Sequence, residues 1–135
     1  MRARILLADD HQEMRDIVVR LLENEHEIIQ AVEDGGALLE AETRLQPDLC
    51  LVDISLPVLN GIEAASTMKQ RGSKSKIIML TIHSDGDFAR AAFRNGASGY
   101  VLKSQMGTDL SIAVKEVLAG RTFVSSSVNF GTPSN

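Results

Sequence analysis

Short runs of apolar residues alternate along the chain with longer stretches in which apolar residues recur at helical spacing. The apolar runs are RILLA, EIIQAV, DLCLVD, KIIMLTI and GYVLK. This alternation is typical of strands that are joined by helices and lie parallel in one sheet. Because such strands cross over with a right-handed connection and are covered on both faces, the pattern predicts a five-stranded, doubly wound α/β sandwich.

The helical pattern is strong in two of the connecting stretches and weak in three. Two stretches are amphipathic, with apolar residues at Met14, Ile17, Val18, Leu21 and Leu22, and at Leu110, Ala113, Val114, Val117 and Leu118. Three weaker stretches, GGALLEAETRLQP, NGIEAASTMKQRG and DGDFARAAFRNG, end in proline or glycine, which commonly follow helices. After Gly120 the sequence is polar and rich in serine, so we predict one domain over residues 1–120 and a frayed tail or the start of a linker over residues 121–135.

Composition and charge narrow the class of protein. A chain of 135 residues with 44% hydrophobic content has the size of one compact domain. Its 18 acidic and 14 basic residues give a net charge of -4, so we expect no direct binding to nucleic acid. No apolar stretch approaches the ~20 residues that span a bilayer, so we expect no membrane partner.

The cysteine and the histidines do not form a recognisable pattern of metal ligands. Cys50 is a single cysteine inside an apolar run, which excludes an internal disulfide and predicts a buried, inert thiol. This cysteine usage fits a reducing compartment, and we expect a cytoplasmic protein. His11 and His26 do not have the spacing of zinc ligands and are expected at the surface.

Four of the five apolar runs end in polar residues that are candidates for one shared site. They are Asp9 and Asp10, Asp53, Thr81 and Lys103. The carboxyl ends of parallel strands lie at one edge of the sheet, so these side chains are expected to converge. Three carboxylates repel one another unless a cation lies among them, and oxygen ligands at an open edge suit Mg²⁺. The hydroxyl of Thr81 and the ammonium of Lys103 can contact an anion, which indicates a phosphoryl group beside the metal.

Each of these residues also has a simpler explanation when it is considered alone. Asp9 and Asp10 can cap the helix that follows them, and Asp53 can cap the loop that follows it. Thr81 can be a half-buried strand residue, and Lys103 a solvated strand end. We favour a shared site because coincidence at four strand ends is improbable.

Four segments resemble the signature blocks of the response-regulator receiver domains of bacterial two-component signalling, in order and at appropriate spacing. These segments are LLADDH, LVDISLPVLNGIEA, MLTIHSD and GASGYVLKS. Any one block is weak evidence, but four in register at four strand ends are specific, and the resemblance covers roughly residues 3–120. It implies a flavodoxin-like sheet with strand order 2-1-3-4-5. The DDH opening, the GYVLKS block and the GRTFVSSSV segment are most similar to the NarL/FixJ subfamily, whose receivers precede a LuxR-type helix-turn-helix domain.

The resemblance implies a role for each residue of the predicted site. Asp53 would be the phosphoacceptor, phosphorylated from the phosphohistidine of a sensor histidine kinase. Asp10 and Asp53 would bind Mg²⁺ together with the backbone carbonyl of Ser55, and Asp9 would assist through water. Lys103 would contact the phosphoryl group.

The resemblance also implies residues that carry or time the signal. Thr81 would contact the phosphoryl group and act with Tyr100 as the switch, although Tyr100 can instead simply fill the core. Ser55 and His83 occupy positions that flank the site and influence how long the phosphoryl group survives. Ser104 stands where many receivers have proline after the lysine, which leaves the geometry of that loop open.

The sequence therefore favours a phosphorylatable signalling switch over a metabolic enzyme, with homodimerisation on phosphorylation and transcriptional output as further expectations. An Mg²⁺-dependent phosphohydrolase with an aspartyl nucleophile is the first alternative. Such enzymes usually carry a second acid two residues after the nucleophile, where this chain has Ser55. A receiver-like binding module that works without phosphate is the second alternative.

Overall fold

The computed structural model describes residues 2–131, in which strands and helices alternate along the chain. The elements are β1 (Arg4–Ala8), α1 (Gln12–Leu22), β2 (Glu27–Val32), α2 (Gly35–Leu45), β3 (Leu49–Val52), α3 (Gly61–Gln70), β4 (Lys76–Thr81), α4 (Gly86–Arg94), β5 (Gly99–Leu102), α5 (Met106–Leu118) and β6 (Phe123–Val124). A short 3-10 turn, Lys103–Gln105, joins β5 to α5. Each of the five apolar runs forms a strand, and each of the five stretches predicted as helical contains a helix.

The sheet is entirely parallel, with strand order β2-β1-β3-β4-β5-β6. The flavodoxin-like order 2-1-3-4-5 is confirmed for the first five strands, but the prediction of five strands is wrong. The sixth strand lies after Gly120, where Phe123 pairs with Gly99 and Val124 with Tyr100. Its two residues are too few to produce a strand pattern in the sequence, and they pair because β5 offers its free edge.

Helices cover both faces of the sheet, so each face has its own apolar core. Alternate residues of β1 point to opposite faces, with Ile5 and Leu7 in one core and Leu6 and Ala8 in the other. The first core is completed by α1 and α5, and the second by α2, α3 and α4. Cys50 lies on β3 with no exposed surface, as predicted, and burial raises the pKa of its thiol to about 12.

The segment after β6 packs back onto the domain. Ser125 is 2% exposed, and its Oγ accepts a hydrogen bond from the backbone N–H of Leu102 at 3.1 Å. The backbone N–H of Asn129 donates to the carbonyl of Ser84, and its carbonyl accepts from the N–H of Gly86, both at 2.7 Å. A Cβ atom at Gly86 would lie 2.7 Å from that carbonyl oxygen, so this close approach requires glycine.

Side-chain caps set the start of three helices at the edge of the sheet where the strands end. Asp34 accepts from the N–H of Ala37, and Asp85 accepts from the N–H of Asp87. Asn60 begins α3 with a reciprocal capping box. Within residues 2–131, no helix combines the length and the apolar character needed to cross a membrane.

Candidate functional site

The predicted site residues lie at the carboxyl ends of four neighbouring strands. Asp9 and Asp10 follow β1, Asp53 follows β3, Thr81 ends β4 and Lys103 follows β5. Asp9 and Asp53 are buried, at 1% and 3% exposure, although a charged side chain is rarely buried without a partner. The structure therefore brings charged groups together in a shielded position at this edge.

Lys103 is the cation that holds two of the carboxylates together. Its Nζ lies 2.9 Å from Asp9 Oδ2 and 3.1 Å from Asp53 Oδ2, and its side chain is 9% exposed. Burial disfavours the ammonium, but the two carboxylates outweigh burial and raise the pKa of Lys103. The side chain therefore stays charged at neutral pH and is already placed beside Asp53.

Backbone groups fix the orientation of both buried carboxylates. Asp53 Oδ1 accepts a hydrogen bond from the N–H of Ser55 at 3.0 Å. Asp9 Oδ1 accepts from the N–H of His11 at 2.8 Å, and Arg15 Nη1 donates to the carbonyl of Asp9 at 2.8 Å. The N-cap of α1 is His11, and neither Asp9 nor Asp10 caps that helix through a side-chain hydrogen bond. The simple capping explanation for the two aspartates therefore does not describe this structure.

The donor set fits a divalent cation. The candidate ligand atoms of Asp9, Asp10, His11 and Asp53 all lie within 4.8 Å of one another. Asp9 Oδ2 is buried and accepts no hydrogen bond from the described residues, with the Lys103 ammonium as its charge partner. Three carboxylates against one ammonium leave an excess of two negative charges, which a divalent cation neutralises.

His11 belongs to this group of ligand atoms, which the sequence argument did not anticipate. Its side chain is 68% exposed, as predicted, but its Nδ1 lies 3.1 Å from Asp10 Oδ1 and 3.3 Å from Asp9 Oδ1. The available signal was its position directly after the two aspartates. His26 was predicted at the surface and is instead 7% exposed, because its Nδ1 accepts a hydrogen bond from the N–H of Ala3 at 3.1 Å.

A second group of contacts centres on His83. Tyr100 is fully buried, its hydroxyl donates to the carbonyl of His83 at 2.7 Å, and burial raises its pKa to about 12. Thr81 Oγ1 accepts from the N–H of His83 at 3.1 Å. The His83 ring stacks on Phe88 at 4.4 Å between centroids, and its Nε2 lies 3.1 Å from Ser55 Oγ. The structure thus connects Thr81 to Tyr100, and Ser55 to His83, as neighbours.

Comparison with known proteins identifies relatives over almost the whole chain. A family model described as the response regulator receiver domain matches residues 5–115. The transcriptional regulatory protein DegU of Brevibacillus brevis is 37% identical over 125 residues, which make up 91% of this chain and 53% of DegU. This chain therefore spans about half the length of that relative.

Solved structures show the same relationship. A LuxR-family two-component response regulator from Aurantimonas sp. SI85-9A1 has a TM-score of 0.90 and 35% identity, over 95% of this chain and 93% of that chain. The isolated receiver domain of RcsB from Salmonella enterica serovar Typhimurium, solved with the phosphomimetic BeF3-, has a TM-score of 0.87 and 26% identity, over 95% and 96%. The chain belongs to the response regulator receiver family, and its relatives include regulators of the LuxR type.

Proposed function

We propose that this receiver accepts a phosphoryl group on Asp53 from the phosphohistidine of a sensor kinase and thereby switches an output. The observation that carries the proposal is the position of Asp53, whose carboxylate is buried yet held 3.1 Å from the Lys103 ammonium. A carboxylate oxygen attacks phosphorus and forms an acyl phosphate, while the bond from phosphorus to the histidine nitrogen breaks and leaves its electron pair on the imidazole. Asp53 is thus the nucleophile.

The remaining residues of the site stabilise the transferred group. The Lys103 ammonium, which contacts the free carboxylate of Asp53, would contact a phosphoryl oxygen instead, and Thr81 would donate a hydrogen bond to another phosphoryl oxygen. A Mg²⁺ ion held by Asp10, Asp53 and the carbonyl of Ser55, with Asp9 acting through water, would neutralise charge on the phosphoryl oxygens.

The same residues favour a switch over a phosphohydrolase. The second acid expected of such an enzyme is replaced by Ser55, whose hydroxyl lies 3.1 Å from His83 Nε2. No carboxylate therefore occupies the position from which leaving groups are protonated. We propose instead that Ser55 and His83 together set the lifetime of the acyl phosphate, since both flank Asp53.

We further propose that the signal passes from Thr81 through His83 to Tyr100 and so to the surface of α4, β5 and α5. Thr81 and Tyr100 are both hydrogen-bonded to the backbone of His83, so movement of one hydroxyl changes the environment of the other. The output would be transcriptional, because the relative DegU, 37% identical to this chain, is a transcriptional regulatory protein. A dimer forming on phosphorylation is the expected assembly, since RcsB has been solved as dimers bound to DNA.

The test of the proposed function is phosphorylation with Mg²⁺ and a small-molecule phosphodonor, followed by mass spectrometry of the intact protein and its peptides. One phosphoryl group is expected on Asp53, and none in Asp53→Asn, which keeps the shape but loses the nucleophile. Asp16→Asn, on the exposed side of α1, is the matched control and should be labelled normally. Unchanged labelling of Asp53→Asn would show that another residue is the acceptor.

The proposed signal path has its own test in Thr81→Ala. This variant should still be phosphorylated on Asp53, because it keeps the nucleophile and Lys103, but its response should be weaker. The response is measured as hydrogen exchange across residues 86–118 before and after phosphorylation. If the fully phosphorylated variant responds as strongly as the phosphorylated protein without the substitution, Thr81 is excluded from the path.

A further inference from the structure

Residues 123–130, the strap, run from the edge of β5 to the start of α4. At one end, Phe123 and Val124 form β6 and pair with β5. At the other end, Asn129 forms an isolated parallel bridge with Asp85, the N-cap of α4. The strap therefore connects the last long strand of the sheet to the loop between β4 and α4.

The middle of the strap is held by one side chain in a polar contact and one in the core. Ser125 is 2% exposed, and its Oγ accepts from the N–H of Leu102 at 3.1 Å and donates to Asp109 Oδ2 at 2.7 Å. Val128 is 8% exposed and belongs to the apolar core that α4 also covers. These contacts give the strap one position on the domain.

The far end of the strap is clamped to the loop between β4 and α4. The N–H of Asn129 donates to the carbonyl of Ser84, and its carbonyl accepts from the N–H of Gly86, both at 2.7 Å. Arg90 Nη2 donates to the carbonyl of Phe130 at 2.8 Å, and its guanidinium lies 5.3 Å from the centre of the Phe130 ring. Movement of this loop therefore disturbs the end of the strap directly.

The clamped loop is the one that the proposed signal path uses. Thr81 Oγ1 accepts from the N–H of His83 at 3.1 Å, and the Tyr100 hydroxyl donates to the carbonyl of His83 at 2.7 Å. Ser84 is the next residue. If the Thr81 hydroxyl turns toward a phosphoryl oxygen, the N–H of His83 loses this acceptor, and the position of Ser84 that Asn129 requires is no longer fixed.

The strap is attached weakly enough to open before the rest of the domain does. Of residues 123–130, Ser125 and Val128 alone are buried, and β6 has two residues. Segments with few buried apolar contacts and exposed backbone hydrogen bonds open at a small cost in free energy. A change at the loop between β4 and α4 is therefore sufficient to shift the strap between docked and released states.

We propose that the docked strap opposes phosphorylation of Asp53 and that phosphorylation releases the strap. The inference rests on the proposed function and adds an autoinhibitory contact to it. Release uncovers the edge of β5 and the start of α4, which belong to the surface through which the signal would leave. Since the two events favour opposite states of one loop, each changes the equilibrium of the other by the same factor.

The first test displaces the strap without touching the phosphorylation site. In Gly86→Ala, the new Cβ would lie 2.7 Å from the carbonyl oxygen of Asn129 and from Cα of Phe130, so the strap has to move. Gly107→Ala, in the first turn of α5, is the matched control because its Cβ meets nothing within 4 Å. Hydrogen exchange at the N–H groups of Ser125 and Asn129 should accelerate in Gly86→Ala and not in Gly107→Ala.

The second test measures the coupling with BeF3-, a mimic of the phosphoryl group, in Mg²⁺. Saturating BeF3- should accelerate strap exchange by about fivefold or more, and Gly86→Ala should bind BeF3- more tightly by the same factor, measured by ¹⁹F NMR titration. Gly107→Ala should bind as the protein without substitutions does. Arg90→Ala removes the contacts with Phe130 without changing the loop and should shift both quantities in the same direction.

Two results would overturn the inference. One is strap exchange that stays unchanged when BeF3- saturates the protein. The other is an unchanged affinity for BeF3- in a variant whose strap exchange shows that it is displaced. Either result in a protein that is labelled on Asp53 leaves the proposed function in place, whereas a protein that is neither labelled nor able to bind BeF3- contradicts both.

Discussion

Buried polar groups at the two ends of the parallel sheet differ in the partners that they have. At the amino end, each group has a partner of its own, as when His26 accepts from the N–H of Ala3 and Glu42 accepts from the hydroxyl of Ser73. At the carboxyl end, Asp9 and Asp53 share Lys103 as their cation. The amino end is completed by folding alone, whereas the carboxyl end remains negatively charged after folding and is suited to an external cation and a phosphoryl group.

The largest expected effect is the loss of the shared cation. Lys103→Met leaves two buried carboxylates without a counter-charge, which should destabilise the metal-free protein by about 3 kcal/mol at neutral pH. Urea unfolding without divalent cations measures this loss. Adding Asp53→Asn to the variant should restore part of the stability, because one of the stranded charges is removed. An unchanged unfolding midpoint in Lys103→Met would show that the ammonium does not stabilise the buried carboxylates of Asp9 and Asp53.

The next effect is the response of the protein to Mg²⁺. An ion that binds only the folded state, at ~100 times its dissociation constant, adds about 2.7 kcal/mol to the free energy of unfolding. Asp10→Ala should flatten this response, while loss of one of three like charges should itself stabilise the metal-free protein. The measurement is the melting temperature with and without Mg²⁺. If Mg²⁺ does not change the melting temperature of the protein without substitutions, the carboxyl end does not differ from the amino end in binding a cation.

The smallest effect concerns pH and belongs to the amino end. Burial disfavours the charged imidazolium and lowers the pKa of His26 below its usual 6.5. The ring nitrogen Nδ1 accepts a hydrogen bond from the N–H of Ala3. The folded protein therefore binds this proton less readily than the unfolded chain, and stability is lost as the pH falls below 6.5 through the lowered pKa. Unfolding free energies across this range, compared with His26→Gln, measure the effect. Equal pH dependence in both proteins would show that His26 does not contribute.

The sequence predicts the strands and the convergence of polar residues because both depend on repeated signals. Each of the first five strands is an apolar run of several residues, and each site residue ends or follows such a run. Parallel pairing then brings Asp53 and Lys103 together although they are 50 residues apart. The sequence predicts this part of the structure because the alternation of strands and helices along the chain places the carboxyl ends of all parallel strands at one edge of the sheet.

Features that depend on a single contact could not be predicted in this way. Strand β6 exists because two residues meet the free edge of β5, and nothing in their own sequence requires it. The burial of His26 depends on the position of Ala3, 23 residues away. The turn of the His11 ring toward Asp10 depends on how α1 begins, since neighbouring residues alone do not determine a side-chain direction.

The position of Cys50 makes its rate of alkylation a measure of how often strand β3 opens. Alkylating reagents attack the thiolate, and a thiol with a pKa of about 12 and no exposed surface offers almost none at neutral pH. Cys50 is also the single cysteine in the chain, so every modification reports on one position. The rate of its alkylation therefore counts the openings of β3, and comparing that rate in phosphorylated and unphosphorylated protein would time the core without an introduced label.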